Sequence, residues 1–181
     1  MIKLFVVRHG KTDWNELGLA QGSKDIELNE EGIKQAIELS KKIDLNKIDI
    51  CICSPMKRTK KTAEIIVKNQ KEIIYDNLII ERSFGNFEGK IINQDTLLRQ
   101  WNYKLNDSSN NIESIQELLK RTNKFIEKIK ETYKDKTILI ISHACFIKTL
   151  HFCILGYDEE TDFLSFFPKN TYIYEYEINE M

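Results

Sequence analysis

The fold of this chain is decided by the segment that reads Ile2-Lys3-Leu4-Phe5-Val6-Val7-Arg8-His9-Gly10-Lys11-Thr12-Asp13-Trp14-Asn15. Its first part, Ile2–Val7, is nearly all apolar, which is typical of a β-strand covered on both faces. Arg8 and His9 follow where that strand ends, and ligands of open α/β sheets bind at the carboxyl ends of the strands. Gly10 allows the backbone to approach an anion closely. The segment therefore predicts a phosphate site with a histidine at its centre.

The overall composition narrows the class of protein. A chain of 181 residues is suited to a single domain with a sizeable core. Its 27 Lys and Arg against 28 Asp and Glu give a net charge of −1, so no basic field favours nucleic acid. No apolar run approaches the roughly 18 to 20 residues of a membrane span, and the first strand leaves no room for a signal peptide. We expect a cytoplasmic protein without nucleic-acid or membrane partners; the sequence carries no signal for its oligomeric state.

The cysteines and histidines suggest a metal site that spacing argues against. Cysteines occur in apolar segments, where reduced, buried thiols are expected, at Cys51, Cys53, Cys145 and Cys153. His143-Ala144-Cys145 and His151-Phe152-Cys153 look like a repeated ligand pair. On one helix, however, residues eight apart are separated by about 12 Å, whereas zinc ligands lie about 2.0–2.3 Å from the metal. We therefore expect no metal and no cofactor, and a structural role for His151.

The rest of the chain alternates between strand and helix patterns. Strands are predicted at Ile2–Val7, Ile48–Cys53, Ile73–Tyr75, Leu78–Glu81, Thr137–Ser142 and Tyr172–Ile178. Helices are predicted from the N-cap Asn29 to about Ile43, after Ser54-Pro55, over Ile112–Tyr133, and from His143 to a stop at Gly156. This order predicts one α/β domain over 1–181, a three-layer α/β/α sandwich with a mostly parallel sheet. An irregular insertion at about 82–111 is expected to cap the strand ends and to set specificity.

Charged residues follow several of these strands at the same edge of the sheet. Arg8-His9, Arg58 and His143 come after three strands, and Glu81-Arg82 lies in a fourth loop. Because neighbouring cations repel one another, their convergence is stable only around an anion. Arginine binds phosphate in a bidentate manner, and charged hydrogen bonds contribute roughly 1.5–3 kcal/mol each. The arrangement predicts a phosphoryl ligand.

These motifs resemble those of the histidine phosphatase superfamily, in the branch that also holds cofactor-dependent phosphoglycerate mutases. The matching features are Arg8-His9-Gly10 with Thr12 and Asn15, Ser54-Pro55-Met56-Lys57-Arg58-Thr59 with Thr62-Ala63, Glu81 with Phe84-Gly85-Asn86-Phe87-Glu88-Gly89, and Ser142-His143. They occur in the family order over nearly the whole chain. The resemblance implies a phosphoglycerate mutase-like fold.

The resemblance also implies roles for individual residues. His9 would be the nucleophile that accepts the phosphoryl group, and Glu81 would donate a proton to the leaving alcohol. The phosphate oxygens would be held by Arg8, Arg58 and His143. Further contacts to the phosphate or the substrate are expected at Thr12, Asn15, Arg82 and Ala144. Ala144 stands where the family usually has glycine; Arg82, Trp101 and Tyr103 each have a non-binding alternative, in solvent or in the core.

Three functions fit this resemblance. The first is a metal-independent phosphatase that hydrolyses small phosphomonoesters through a phosphohistidine. The second is a phosphoglycerate mutase, which needs an anchor for a carboxylate; the short insertion offers only Lys90, Arg99 and Lys104. The third is a non-catalytic homologue, which the filled catalytic positions disfavour. The substrate stays open among alpha-ribazole phosphate, sugar phosphates and phosphoglycerates.

Overall fold

A five-stranded sheet forms the centre of the computed structural model, which describes residues 1–179. Its strands are β1 (Ile2–Arg8), β2 (Ile50–Cys53), β3 (Ile73–Tyr75), β4 (Thr137–Ser142) and β5 (Ile173–Ile178). The spatial order is β3-β2-β4-β1-β5, in which β5 pairs antiparallel with β1 and the other pairings are parallel. The predicted, mostly parallel sheet is confirmed, with an antiparallel strand at one edge.

Helices cover both faces of this sheet. They are α1 (Asp13–Glu16), α2 (Glu30–Ser40), α3 (Lys57–Val67), α4 (Gln94–Gln100), α5 (Ile115–Thr132) and α6 (Ala144–Leu155). Apolar residues of α2 and α3 pack on one face, and those of α5 and α6 pack on the other. The three-layer α/β/α sandwich is therefore confirmed. None of the helices within residues 1–179 is long and apolar enough to cross a membrane.

The longest helix, α5, has the pattern that the sequence predicted. Its N-cap Ser114 forms a capping box with Glu117, which satisfies backbone N–H groups at the helix start. The apolar stripe is buried along its whole length, at Ile115, Leu118, Leu119, Thr122, Phe125, Ile126 and Ile129. Phe125 meets Phe146 of α6 edge to face at a centroid distance of 5.6 Å. The stripe thus fixes α5 against α6 and the sheet.

Helix starts and ends differ from the predictions in three places, one of which is the start of α5 at Ile115 rather than Ile112. Asn29 caps α2 as predicted, with its side chain accepting from Gly32 N, but the helix ends at Ser40 rather than near Ile43. The helix after Ser54-Pro55 begins only at Lys57, and no side chain caps it. Ser54 does not cap this helix because its hydroxyl bonds the ring of His143 instead.

Two segments predicted as irregular or extended are helical. Leu78–Glu81 is not a strand: a 3-10 turn spans Asn77–Ile79, because the Asp76 carboxylate accepts the N–H of Leu78 and closes a local turn. The insertion contains α4, whose N-cap Asn93 accepts from Thr96 N. This side-chain cap satisfies a backbone N–H group of the first turn and so stabilises the helix.

The sheet topology places the two histidines side by side. Arg8 at the end of β1 is in register with Ser142 at the end of β4, and His9 N donates to Ser142 O at 3.0 Å. After β1 the chain leads to α2 on one face, whereas after β4 it leads to α6 on the other. A crevice opens where neighbouring strands diverge in this way. His9 and His143 lie at that crevice.

Candidate active site

A pocket of about 400 Å³ opens at the carboxyl ends of β1 and β4. Its lining combines charged and apolar side chains. The former include Arg8, His9, Arg58 and Glu81, and the latter include Trp14, Leu19, Phe84, Ile92, Leu97 and Phe167. Four of the predicted catalytic residues therefore converge on one cavity.

His9 is held in one tautomer. Its Nδ1 lies 2.7 Å from its neighbour's backbone oxygen, Gly10 O. Because a carbonyl oxygen only accepts, Nδ1 carries the proton, and Nε2 keeps a free lone pair. The backbone is fixed as well, since Asn170 donates to His9 O at 2.7 Å and Thr62 Oγ1 accepts from Gly10 N at 3.1 Å. These contacts fix the orientation of the imidazole.

The surroundings keep His9 neutral. The side chain is 1% exposed, and burial lowers its pKa well below the usual histidine value. The guanidinium groups of Arg58 and Arg8 lower this pKa further because they repel a second positive charge. A neutral imidazole is the form that attacks a phosphoryl group.

His143 and Arg58 form a buried pair beside His9. The His143 ring lies 5.3 Å from the His9 ring, centroid to centroid. Its Nδ1 accepts from Arg58 Nε at 3.2 Å, so its Nε2 carries the proton and donates to Ser54 Oγ at 2.7 Å. Burial, followed by the charge of Arg58, lowers the pKa of His143 well below its usual value. Both ring nitrogens are engaged with protein groups in this structure.

Arg58 also holds a loop at the pocket. It donates from its two terminal nitrogens to Gly22 O at 3.0 Å and Lys24 O at 2.8 Å. Burial lowers its pKa to about 10, which leaves the guanidinium charged at neutral pH. The carboxylate of Glu88 holds the same loop by accepting from Ser23 N at 2.8 Å. Glu88 is therefore structural, and the loop brings Gln21 to the pocket wall.

Arg8 keeps donor capacity for a ligand. One terminal nitrogen donates to Pro168 O at 3.0 Å, whereas the buried Nε has no hydrogen-bond partner among the residues that the structure describes. Burial lowers the pKa of Arg8, and the charge of Glu81 opposes this. A buried donor without a partner is costly, so an anion in the pocket would satisfy it.

Glu81 is fixed by backbone donors rather than by arginines. Its Oε1 accepts from Arg82 N at 2.9 Å and from Cys145 N at 3.1 Å. The side chain is 8% exposed and lines the pocket. The second oxygen, Oε2, has a longer contact of 3.4 Å to Cys145 N. Its backbone hydrogen bonding is therefore weaker than that of Oε1.

Not every predicted site residue faces the pocket. Asn15 and Ala144 line it, whereas Thr12 is fully buried and caps α1 by accepting from Asn15 N. Arg82 lies fully buried outside the lining, where it donates to Glu113 O at 2.7 Å and Gln100 O at 2.8 Å. Arg82 therefore braces the insertion from within, and it does not reach solvent.

The aromatic residues of the insertion form a core of their own. Trp101 packs with Phe84 and Phe163, and it is 5% exposed. Tyr103 lies on the far side against Tyr157, with ring centroids 6.2 Å apart. Neither Trp101 nor Tyr103 lines the pocket, so their core alternative is the correct one. The cysteines are free, and burial raises the pKa of the Cys51 thiol to about 12.

Sequence reasoning missed several lining residues. Phe167 and Asn170 come from the loop before β5, which carries no motif or periodicity. Gln21 follows the first motif without a pattern of its own, and its buried Oε1 has no partner among residues 1–179. Only the proximity of Gln21 to the Arg-His-Gly motif in the sequence could have indicated it.

Comparison with known proteins identifies the class to which this fold and site belong. A model of the histidine phosphatase superfamily (branch 1) matches residues 4–181. The chain therefore belongs to the histidine phosphatase superfamily. The family expected from the sequence motifs is confirmed.

Relatives within the family include several phosphatases. Phosphoserine phosphatase 1 of Hydrogenobacter thermophilus is 30% identical over 167 residues, which cover 87% of this chain and 78% of the relative. The uncharacterized phosphatase PhoE of Bacillus subtilis is 35% identical over 161 residues, covering 88% of this chain and 81% of the relative. These relatives support a phosphatase enzyme.

Solved structures agree in fold. A phosphoserine phosphatase mutant from Entamoeba histolytica, in complex with phosphoserine, has a TM-score of 0.85 and 33% identity, covering 97% of this chain and 90% of that chain. The same organism's phosphoserine phosphatase in complex with 3-phosphoglyceric acid has a TM-score of 0.80, with the same identity and coverage. These matches confirm the phosphoglycerate mutase-like α/β fold.

Proposed function

We propose that this chain hydrolyses small-molecule phosphomonoesters through a phosphohistidine at His9. The observation that carries the proposal is the state of His9: a neutral imidazole with a pinned Nδ1–H, whose free Nε2 lies in a pocket with Arg8 and Arg58. That combination unites a nucleophile with the charges that a phosphoryl group requires. The scheme uses no metal and no cofactor.

In the first step the phosphoryl group moves to His9. Nε2 attacks phosphorus, a P–N bond forms, and the P–O bond to the alcohol breaks. The Arg8 guanidinium, with its unpartnered Nε, and the remaining N–H groups of Arg58 stabilise the charge on the equatorial oxygens. Ala144 adds the backbone N–H of the uncapped first turn of α6. His143 orients Arg58 through the Nε–Nδ1 hydrogen bond.

Glu81 supplies the proton that the leaving alcohol needs. Its Oε1 is held by two backbone N–H groups, which leaves Oε2 to carry the proton into the cavity. In the second step Oε2 accepts a proton from water as the water oxygen attacks phosphorus and the P–N bond breaks. Inorganic phosphate and neutral His9 are regenerated. General acid–base assistance of this kind contributes typically about 10²–10⁴-fold.

The insertion shapes the part of the pocket that receives the alcohol. Ile92 and Leu97 form one wall, and Phe84, at the start of the insertion, lies beside them. Residues 82–111 would thus cap the pocket and select the leaving group. The phosphoserine and 3-phosphoglyceric acid complexes of the Entamoeba histolytica relative support a small phosphorylated metabolite as substrate.

Mutase activity is disfavoured by the position of the three candidate anchors. Arg99 pairs with Asp107 at 3.4 Å, and Lys104 pairs with Glu160. Neither these two cations nor Lys90 line the pocket. They offer no grip for the carboxylate of a phosphoglycerate that must be retained between two transfers.

The experiment that tests the proposal measures phosphate release from a panel of phosphomonoesters in the presence of a chelator. A mutase assay on 3-phosphoglycerate runs in parallel. Chelator-resistant release from panel members is expected, with His9→Ala inactive. Isomerisation without release would replace the proposal by a mutase, and inactivity of the wild type in both assays would favour a non-catalytic homologue.

A further inference from the structure

A row of three buried side chains leads away from the pocket, beginning with Arg58. His143 follows Arg58 in this row and Ser54 comes third, and all three are 0% exposed. Arg58 lines the pocket, whereas His143 and Ser54 lie behind the lining. Ser54 takes no part in the steps above. Its hydroxyl nevertheless contacts the site from behind.

The backbone of Ser54 is fixed on both sides. Its N–H donates to Ile141 O at 3.0 Å, which continues the pairing of β2 with β4 by one residue. Its carbonyl oxygen accepts from Thr59 Oγ1 at 2.8 Å. A serine side chain has a single heavy-atom torsion, so a fixed backbone leaves few positions for its oxygen. Ser54 Oγ is therefore a fixed point against which the His143 ring is oriented.

The protons in this row follow from the chemistry of arginine, which only donates. Arg58 Nε carries its hydrogen, so His143 Nδ1 accepts across their 3.2 Å contact. Burial keeps His143 neutral because it lowers the pKa well below the usual histidine value. The single ring proton is then on Nε2, which donates to Ser54 Oγ at 2.7 Å. The serine oxygen is the acceptor that this tautomer requires.

Without the Ser54 hydroxyl the row has no satisfied arrangement. The Nε2–H of His143 would lie buried without an acceptor, which is costly. A proton moved to Nδ1 would set two N–H donors against each other and break the bond to Arg58. Arg58 also donates from its terminal nitrogens to Gly22 O and Lys24 O. The orientation of the guanidinium thus depends on contacts behind the pocket as well as at its wall.

We propose that Ser54 is a positioning residue for phosphate binding, which holds His143 in the Nε2–H tautomer so that Nδ1 orients the Arg58 guanidinium in the pocket. The inference rests on the proposed function, since the phosphoryl group is taken to bind beside Arg58. Ser54 acts through two successive hydrogen bonds. It therefore affects how the phosphoryl group is held, and it leaves proton donation by Glu81 untouched.

The tautomer can be measured without turnover. 15N NMR of protein labelled in its histidines should show a neutral His143 protonated at Nε2 in wild type at pH 7. Ser54→Ala should either move the proton to Nδ1 or remove the signal of a hydrogen-bonded Nε2–H. Protonation at Nδ1 in wild type, or a His143 spectrum that Ser54→Ala leaves unchanged, would overturn the role of Ser54.

Kinetics distinguish Ser54 from the acid Glu81. Ser54→Ala should raise the inhibition constant of inorganic phosphate and lower kcat/KM, each by about tenfold or more, with equal losses on an alkyl phosphate and on p-nitrophenyl phosphate. Thr122→Val is the matched control, because it also removes a fully buried hydroxyl, which lies 2.8 Å from Thr149 Oγ1 between α5 and α6. It should change neither constant. A loss in Ser54→Ala that Thr122→Val reproduces, or one confined to the alkyl phosphate, would refute the positioning role.

Calorimetry with inorganic phosphate separates this inference from the proposed reaction. If wild type releases no phosphate from any ester, yet binds phosphate more tightly than Ser54→Ala does, the hydrolysis is refuted and the role of Ser54 is upheld. If turnover proceeds through His9 while wild type and Ser54→Ala bind phosphate equally well, the role of Ser54 is overturned and the hydrolysis stands.

Discussion

Replacing Glu81 with Gln removes the proposed acid while preserving the shape of the site. Glu81 Oε1 accepts from Arg82 N and Cys145 N, at 2.9 and 3.1 Å, and an amide oxygen can accept both bonds. The position of Oε2 is then taken by an amide nitrogen, which cannot transfer a proton to an alcohol. The change therefore separates proton donation from packing.

The size of the effect depends on the leaving group. An alkoxide leaves poorly without a proton, so Glu81→Gln should lower the rate on an alkyl phosphate by the full contribution of general acid catalysis, about 10²–10⁴-fold. Such a factor corresponds to about 2.7–5.5 kcal/mol of lost transition-state stabilisation. p-Nitrophenolate is a stable anion and needs little protonation. The loss on p-nitrophenyl phosphate should stay below about tenfold.

The assay compares kcat/KM for both substrates in wild type, Glu81→Gln and Glu127→Gln. Glu127 is an exposed residue on α5 and serves as the matched control. We expect Glu81→Gln to retain most of the kcat/KM for p-nitrophenyl phosphate and to lose most of the kcat/KM for the alkyl phosphate. Equal losses on the two substrates would refute Glu81 as the acid, because a general disruption of the pocket does not discriminate between leaving groups.

Two further predictions concern stability. Burial lowers the pKa values of His9 and His143. Below about pH 6.5 the unfolded chain therefore binds protons that the folded chain does not. The free energy of unfolding should be greatest above that pH and should decrease below it by up to about 1.4 kcal/mol per pH unit for each histidine. Urea titrations from pH 7 to 5 measure the slope, which His9→Asn should reduce; an unchanged slope would contradict burial as its cause. A Cβ added at Gly10 would lie 2.4 Å from Gly32 O, so Gly10→Ala should cost more than about 2 kcal/mol and reduce turnover by displacing His9. Gly18→Asn is the control, since Gly18 has φ +69 and no heavy atom within 4 Å, and a stable Gly10→Ala beside it would refute the close approach.

The sequence was sufficient for the parts of the site that lie at strand ends. Arg8 and His9 follow a continuous apolar strand, and His143 follows another, so parallel pairing alone brings them together. The stripe of α5 was equally readable, because buried positions recur at helical spacing. In both cases a local pattern determines which side chains face inward.

Other parts depend on contacts between distant segments. Phe167 and Asn170 reach the pocket from the loop before β5, and no local pattern precedes them. The partners of Arg82 are backbone oxygens of Gln100 and Glu113, which only the folded insertion brings together. The hydroxyl of Ser54 meets His143 across 89 residues rather than capping its own helix. Whether a side chain bonds a local or a distant partner is determined by tertiary packing in these cases.

The central claim is that His9 Nε2 carries the phosphoryl group. The most direct test is rapid quenching of the enzyme during turnover of a 32P-labelled phosphomonoester, followed by proteolysis and mass spectrometry at neutral to alkaline pH. The account predicts an acid-labile, base-stable phosphate on the peptide that contains His9, formed no more slowly than turnover and absent in His9→Ala. Label on another residue, or full turnover in His9→Ala, would contradict it.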